Sequence, residues 1–189
     1  MTSNNRFLVI GGSAGSIDII LRFLPDIKYS DVLSIIIVLH RKNTNDSVLS
    51  SLLSSKTSWK VKEAGEKEMA LPHTIYLAPP DYHLLLEKDG TFSLDASEKV
   101  NYSRPSIDIT FECAAEIYGS KLTCLLLSGA NADGVEGLKN VKKNNGTVAI
   151  QDPAEAEISF MPQQALIYAE VDYVLKNKDI ATFINNLSL

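Results

Sequence analysis

The sequence has few cysteines, no long apolar run and no excess of basic residues, and each shortage counts against a class of protein. Cys113 lies in a helical stretch and Cys124 in an apolar run. Both are expected to be buried thiols in a reducing cytoplasm, although a disulfide between them is possible. No apolar run approaches the roughly 20 residues of a membrane helix, and the N-terminus lacks the features of a signal peptide. The net charge of −5, without a basic stripe, disfavours nucleic-acid binding.

Metal-binding patterns are also missing. Neither His73 nor His83 belongs to a histidine pair or an acidic cluster with metal-ligand spacing, so we expect no metal and no other cofactor. What is present is ordinary, since 45% apolar and 22% charged residues are typical of a soluble globular protein. A chain of 189 residues is long enough to bury a full core, and we predict one domain over residues 1–189.

Short apolar runs alternate with helical patterns along most of the chain. Short runs with no more than one polar residue predict strands covered on both faces of a sheet; they include residues 6–10, 34–39, 122–127 and 147–150. Strands that alternate with helices are typical of a mostly parallel, doubly wound sheet, so we predict an α/β fold with three layers, α/β/α. In the middle of the chain, "KDG" at residues 88–90 predicts the turn of an added antiparallel β-hairpin.

Apolar spacing and turn residues predict how individual helices lie. A helix that stops at Pro25 and a second helix over 46–55, capped by Asn45 or Asp46, each have a face of apolar residues. A later helix ends at "NNG", where Gly146 suits a left-handed exit position. The residues predicted to point inward on the first two helices are Ile17, Ile20, Leu21, Leu24, Val48, Leu49, Leu52 and Leu53.

Three chemically active side chains follow predicted buried strands. Ser13 comes after the strand at 6–10, His40 after the strand at 34–39, and Asp133 in the loop after the strand at 122–127. In an open α/β sheet, ligands bind beyond the carboxyl ends of the strands, so the three share one edge. A nucleophile, a base and a carboxylate that orients the base are the set needed for acyl transfer. The sequence therefore predicts a Ser-His-Asp site.

The glycines around Ser13 also allow a phosphate-binding loop, but their spacing favours a nucleophile. "GGSAGS" has no lysine in the Walker position, and Ile10 stands where a dinucleotide fingerprint needs its first glycine. By contrast, Gly11-x-Ser13-x-Gly15 between a strand and a helix has the spacing of a nucleophile elbow. Taken one at a time, Ser13 and Asp133 also suit helix caps, and His40 a surface position, so the argument depends on all three together.

These motifs resemble the catalytic domain of the chemotaxis protein-glutamate methylesterases (CheB type) over nearly the whole chain. The resemblance rests on "VIGGSAGS", "LAPPDYH", "RPSID", "SGANADG" and "FMPQQAL". It implies that Ser13 is the nucleophile, His40 the general base and Asp133 the orienting aspartate. It also implies hydrolysis of glutamate γ-methyl esters on the cytoplasmic helices of methylated chemoreceptors, with deamidation of glutamines by the same steps.

Two departures from the family pattern concern the oxyanion. The residue after the nucleophile is Ala14 where the family usually has threonine, so a hydroxyl is lost. The usual glycine–methionine–glycine before the aspartate is Gly129, Ala130 and Asn131. A backbone amide at Ala130 can still donate, because donation does not depend on the side chain. Losing one oxyanion donor lowers a rate by about 10²–10³, so reduced activity is one expectation.

Several roles stay open at the level of sequence. Arg104 either ties down its own loop or holds a substrate carbonyl or carboxylate. Phe160 and Met161 either line the cleft or pack the core. The receiver domain of the family is absent from this sequence, so either regulation is expected from elsewhere, such as a separate receiver or regulator protein, or the sequence is cut from a longer one. The alternatives to an esterase acting on receptors are a weakened or inactive module that binds receptor or signalling partners, and an esterase with another substrate.

Overall fold

The computed structural model describes residues 5–41 and 47–188. Within these ranges the chain forms nine strands and six α-helices, which alternate along most of the sequence. The strands are β1 (Arg6–Gly12), β2 (Leu33–Leu39), β3 (Lys60–Glu63), β4 (Thr74–Leu77), β5 (His83–Leu86), β6 (Phe92–Asp95), β7 (Leu122–Leu126), β8 (Thr147–Gln151) and β9 (Tyr173–Leu175). The helices are α1 (Ser16–Phe23), α2 (Ser47–Ser54), α3 (Ile107–Tyr118), α4 (Val135–Lys143), α5 (Phe160–Tyr168) and α6 (Ile180–Asn186).

Seven strands form one parallel sheet in the order β3-β4-β2-β1-β7-β8-β9. The order reverses direction at β1, which pairs with β2 on one side and β7 on the other. A ligand site in a sheet of this kind lies beyond the carboxyl ends of the strands near that reversal. The predicted α/β fold with a doubly wound parallel sheet is confirmed, and the structure places β1 at its centre.

Helices cover both faces of the sheet because its strands are apolar on both sides. Alternate residues of β1 point to opposite faces: Phe7 and Val9 join one core cluster, and Leu8 and Ile10 join the other. Helices α3, α4 and α5 pack on the first face, and α1, α2 and α6 on the second. The three predicted layers follow from this packing.

The hairpin β5–β6 forms a separate antiparallel pair, as its turn sequence predicts. It packs through Leu84, Leu86 and Phe92 against the same core cluster as α3. The hydroxyl of Thr110 on α3 donates a hydrogen bond to the carbonyl oxygen of Leu84 at 2.9 Å. The hairpin is therefore fixed beside the N-terminal half of α3, close to the carboxyl edge of the sheet.

Several predictions of local detail were wrong. Ile17 is 37% exposed, because α1 buries Ile19, Ile20 and Phe23 instead. On α2, Leu53 is buried, but Val48 is 65% and Leu52 is 40% exposed, because this helix packs at an edge of the sheet. The N-cap predicted at Asn45 or Asp46 lies outside the described residues.

The C-terminal end of α4 adopts a different turn from the one predicted. Asn145, with φ +62°, takes the left-handed position, and Gly146 follows it, donating from its amide to the carbonyl oxygen of Val141 at 2.8 Å. This is a Schellman-type exit, in which the left-handed residue precedes the residue that makes the longer hydrogen bond. Asparagine tolerates that conformation better than most non-glycine residues, so the "NNG" signal was right and its assignment to Gly146 was wrong by one residue.

Two negative findings concern the membrane and the thiols. Among residues 5–41 and 47–188, no helix has the length and apolar character needed to cross a lipid bilayer. Cys113 and Cys124 are both free thiols, and Cys124 is fully buried on β7. Burial raises the pKa of both thiols above the ordinary value, which favours the unreactive protonated form.

Candidate active site

The central strands bring Ser13, His40 and the loop after β7 to one edge of the sheet. Gly12 at the end of β1 pairs with Leu39 at the end of β2, and the amide of His40 donates to the carbonyl oxygen of Gly12 at 3.2 Å. On the other side, the amide of Ser13 donates to the carbonyl oxygen of Ser128 at 2.9 Å. Ser13 therefore leaves the sheet between His40 and the loop that carries Asp133, as the strand-end argument predicts.

Ser13 occupies a tight turn between β1 and α1. The amide of Ser16, the first residue of α1, donates back to the carbonyl oxygen of Ser13 at 3.1 Å, which closes the turn. Gly15 has φ +81°, and a Cβ there would lie 2.7 Å from Cβ of Glu157, so this position requires glycine. Ser13 is half-buried, and its hydroxyl makes no hydrogen bond with any residue that the structure describes. The side chain is thus accessible and held by its backbone alone.

Asp133 is buried in a cage of hydrogen-bond donors. Its Oδ2 accepts from Nε2 of His40 and from the amide of Ile107, both at 2.7 Å. Its Oδ1 accepts from the hydroxyl of Ser106 at 2.9 Å, the amide of Asp108 at 3.1 Å and the side-chain amide of Asn101 at 3.3 Å. Two of these donors are backbone amides in the first turn of α3, where an anion is favoured by the helix dipole. We call these five donors and Asp133 the Asp133 cage.

The two carboxyl groups of this region have opposite pKa shifts. Burial by itself would raise the pKa of Asp133, but hydrogen bonds from His40, Ile107 and Asp108 outweigh it and lower the pKa to about 2. Burial raises the pKa of Asp108 to about 7; the amide of Gly137 opposes this shift and the charge of Asp133 adds to it. Asn101 links the two groups, since its side-chain amide also donates to Oδ2 of Asp108 at 2.9 Å.

The hydrogen bond to Asp133 determines which nitrogen of His40 can act as a base. An ionised carboxylate only accepts hydrogen bonds, so Nε2 of His40 carries the proton that points to Asp133. In the neutral ring, Nδ1 then has the free lone pair. The side-chain amide nitrogen of Asn131 lies 3.5 Å from Nδ1. The basic nitrogen of His40 is thus Nδ1, and Asn131 is its polar neighbour.

Two backbone amides near Ser13 have no partner within the described ranges. Ala14 follows the serine and Ala130 belongs to the loop after β7; both are exposed, and neither amide donates to a described residue. Free amides beside a nucleophile are the usual donors to an oxyanion. The family resemblance places both residues at the oxyanion site, and the role of their amides remains a prediction.

Met161 packs behind the loop after β7. It is fully buried, and its amide donates to the carbonyl oxygen of Gly129 at 3.0 Å. A Cβ on Gly129 would lie 2.5 Å from Cε of Met161 and 3.1 Å from Cβ of Ser13, so the loop approaches the serine only because this residue is glycine. Met161 therefore packs the core, and its contact with substrate stays a prediction. Phe160 is 45% exposed.

Arg104 ties its surroundings together and also lines the cleft. Its guanidinium donates to the carbonyl oxygens of Ala96 at 2.7 Å and Ser97 at 2.6 Å, just after β6. The same side chain lines a cleft of about 340 Å³ that includes His40. The loop-holding alternative is thus observed, and contact with substrate stays a prediction.

Tyr102 and Asn101 were missed by sequence reasoning. Both have positive φ angles, +63° and +50°, and the side chain of Tyr102 is 98% exposed. Tyr102 lines both the cleft that includes His40 and a second cleft of about 510 Å³ that Asp133 also lines. No local pattern marks these residues, because their positions follow from the loop that leads into α3.

Within the described residues, no group of three or more histidine, cysteine, aspartate or glutamate side chains is arranged to hold a metal ion.

A serine in a strand–turn–helix elbow, beside a histidine–aspartate pair on a parallel α/β sheet, is the arrangement typical of serine hydrolases. The sequence profile of the CheB methylesterase family matches residues 8–184. The chain therefore belongs to the CheB methylesterase family, a family of hydrolases.

Relatives and a solved structure agree with this assignment. A relative from Leptospira interrogans, whose name provisionally assigns it as a protein-glutamate methylesterase/protein-glutamine glutaminase, is 46% identical over 178 residues, covering 94% of this chain and 92% of that protein. A protein from Thermotoga maritima with the same activities in its name is 34% identical over 91% of this chain and 51% of its own length. The crystal structure of the Thermotoga maritima CheB methylesterase catalytic domain superposes with a TM-score of 0.90 at 34% identity, covering 97% of this chain and 98% of that one.

Proposed function

We propose that this chain is a serine esterase that hydrolyses glutamate γ-methyl esters on the cytoplasmic helices of chemoreceptors and also deamidates glutamine. The observation that carries the proposal is the 2.7 Å hydrogen bond between His40 and a buried, ionised Asp133, on the sheet edge where Ser13 emerges. This pair fixes the tautomer of His40, which is what a general base next to a serine requires. Membership of the CheB methylesterase family supports the choice of substrate.

The proposed reaction gives each of these groups one role. Nδ1 of His40 takes the hydroxyl proton as Oγ of Ser13 attacks the ester carbonyl, and the developing oxyanion accepts from the amides of Ala14 and Ala130. The tetrahedral intermediate collapses: the bond from carbon to the methoxy oxygen breaks, the oxygen takes the proton from Nδ1, and methanol leaves. Water then attacks the acyl-enzyme with the same base and releases glutamate and Ser13.

The partners and compartment belong to the proposal too. Receptor helices with methylated glutamates are the proposed substrate, a separate receiver or regulator protein is the proposed controller, and the cytoplasm is the proposed location. Arg104 and Tyr102 border the cleft that includes His40, so we assign them to substrate contact. An exposed tyrosine and a guanidinium suit a polar helix surface that carries glutamate and glutamine.

The test is release of methanol from a methylated chemoreceptor cytoplasmic fragment by the purified full chain. We expect turnover that stops when Ser13 is replaced by alanine. A second candidate is a binding module without activity, and one observation favours it: the hydroxyl of Ser13 has no hydrogen bond to a described residue, while Asn131 lies next to Nδ1. Saturable binding of the fragment without methanol release would establish that candidate and overturn the esterase.

A further inference from the structure

Asn131 is held with a known orientation beside the base. Its side-chain oxygen accepts a hydrogen bond from the amide of Asp133 at 3.2 Å, which forms a local turn. With the oxygen engaged there, the NH₂ group is the end that lies 3.5 Å from Nδ1 of His40. The residue is half-buried at the edge of the site. A fixed N–H donor therefore lies next to the nitrogen that moves the proton.

The leaving group of the reaction must come to the same place. His40 returns its proton from Nδ1 to the leaving atom, so that atom lies about 3 Å from Nδ1 at the moment of transfer. The NH₂ group of Asn131 and the leaving atom then share Nδ1 as a neighbour, and the inference places the leaving atom on the side of Nδ1 that faces this NH₂ group, within hydrogen-bonding reach of it. What Asn131 does depends on whether the leaving atom can accept a second hydrogen bond.

An ester and an amide differ in that respect. In the tetrahedral intermediate from a methyl ester, the methoxy oxygen has two lone pairs, so one can accept from Asn131 while the other takes the proton from His40. In the intermediate from glutamine, the leaving nitrogen has a single lone pair, which His40 must protonate, and its two N–H groups are donors. Two donors that face each other repel, and a donor without an acceptor loses its hydrogen bond to water.

We propose that Asn131 is a specificity-determining residue that favours release of methanol over release of ammonia. The inference rests on the proposed function, because it needs Ser13 and His40 to carry the reaction. It predicts that the chain is a better methylesterase than glutaminase, and that the side chain of Asn131 is one cause of the difference.

The experiment uses one chemoreceptor cytoplasmic fragment prepared with either γ-methyl glutamate or glutamine at a single site. Methanol and ammonia release give kcat/KM for each form with the full chain, Asn131→Gly and Asn131→Ser. Serine keeps an oxygen that can accept from the amide of Asp133, but its side chain is too short to reach His40. Asn131→Ser therefore removes the donor beside Nδ1 while keeping the local turn. Asn145→Gly is the matched control, because Asn145 is exposed at the opposite end of the sheet.

We expect the ratio of ester to amide kcat/KM to fall about tenfold in both Asn131 variants, the usual worth of one hydrogen bond. The ratio should not change in Asn145→Gly. An equal fall in both rates would mean that Asn131 only shapes the loop, and it would overturn the inference while leaving the esterase intact. If the parent chain hydrolyses neither form, the proposed function fails and the inference fails with it.

Discussion

Two regions that flank His40 differ in burial and in hydrogen bonding. On one side, the Asp133 cage places a fully buried carboxylate among five donors from α3 and its surroundings. On the other side, Ser13 is half-buried with a hydroxyl free of hydrogen bonds to described residues, and Ala14 and Ala130 are exposed. We call this second region the nucleophile side.

The difference shows that one set of groups orients His40 and a separate set reacts with substrate. A group that holds a tautomer must not move, and burial with complete hydrogen bonding provides this at a gain in stability. A group that bonds covalently to substrate must be reached from solvent, so its own hydrogen bonds are left to be made in the transition state. Substitutions in the Asp133 cage should therefore change stability and rate together, whereas substitutions on the nucleophile side should change the rate alone.

The largest effect is expected on the nucleophile side. Ser13→Ala should lower methanol release by about 10⁵-fold or more, because the attacking atom is lost. Its free energy of unfolding should change by less than about 0.5 kcal/mol, since the hydroxyl makes no hydrogen bond with described residues. Methanol release and urea denaturation measure the two quantities. Ser51→Ala, on the exposed face of α2, is the control and should change neither.

Asp133→Asn tests the Asp133 cage, and it should lower the rate and the stability together. The rate should fall about 10⁴-fold, because the imidazole loses the acceptor that fixes its tautomer. Stability should also fall by about 1–3 kcal/mol, since an NH₂ group would face donors that now have a carboxylate oxygen. Asp89→Asn is the control, because it makes the same chemical change in the exposed hairpin turn, outside the Asp133 cage. A variant with unchanged unfolding but lost activity would show that the cage does not stabilise the fold.

Ala14→Thr tests the nucleophile side with a substitution that should raise the rate. If the missing hydroxyl weakens oxyanion binding, restoring it should raise kcat by at most about 10²-fold without a change in substrate affinity, because charge appears on that oxygen only in the transition state. Methanol release and a binding titration on the same receptor fragment separate the two. An unchanged kcat would mean that the amides of Ala14 and Ala130 already satisfy the oxyanion.

The last prediction concerns stability: the ionisation of the two carboxyl groups of the cage region makes the free energy of unfolding depend on pH. The pKa of Asp108 is raised to about 7 from 3.8, so between pH 4 and 7 the folded protein holds a proton that the unfolded chain releases. This group therefore lowers stability as the pH rises through that window. The pKa of Asp133 is lowered to about 2, so its contribution is present above pH 4 and is lost as the pH falls toward 2.

Asp108→Asn removes the first of these titrations. Relative to the parent chain, its free energy of unfolding should rise by about 3 kcal/mol from pH 4 to 7 and stay nearly level above pH 7. Urea denaturation at each pH measures this difference. A difference that does not depend on pH would show that neither burial nor the charge of Asp133 raises the pKa of Asp108.

Local sequence patterns predicted the elements that are buried on both faces and failed for those that are partly exposed. The strands β1, β2 and β7 are almost wholly apolar, so their sequences alone indicated a parallel sheet. β9 was missed because it has only three residues, and Tyr173 and Val174 are exposed at the sheet edge. The inward faces of α1 and α2 were partly wrong, because which apolar residues are buried depends on the neighbouring elements and not on spacing alone.

Some residues of the site could be predicted from the sequence, and others could not. Ser13, His40 and Asp133 were predicted because each follows a buried strand, and the side-by-side ends of β1 and β2 place the first two together. Asn101, Ile107 and the amide of Asp108 had no such signal, because they reach Asp133 through the turn into α3. Arg104 and Met161 each had two open interpretations; the contacts show that Arg104 holds its loop and that Met161 packs the core, while substrate contact stays a prediction for both.

The sequence by itself determined the alternation of strands and helices, the tight glycine turn that presents Ser13, and the order of chemical groups along one sheet edge. These features depend on the side-chain period and on backbone conformations that only some residues adopt. Tertiary structure decided which nitrogen of His40 is basic, the opposite pKa shifts of Asp108 and Asp133, and the placement of Asn131 beside Nδ1. Each of these depends on distances of a few ångströms between residues far apart in the chain, which local sequence patterns do not encode.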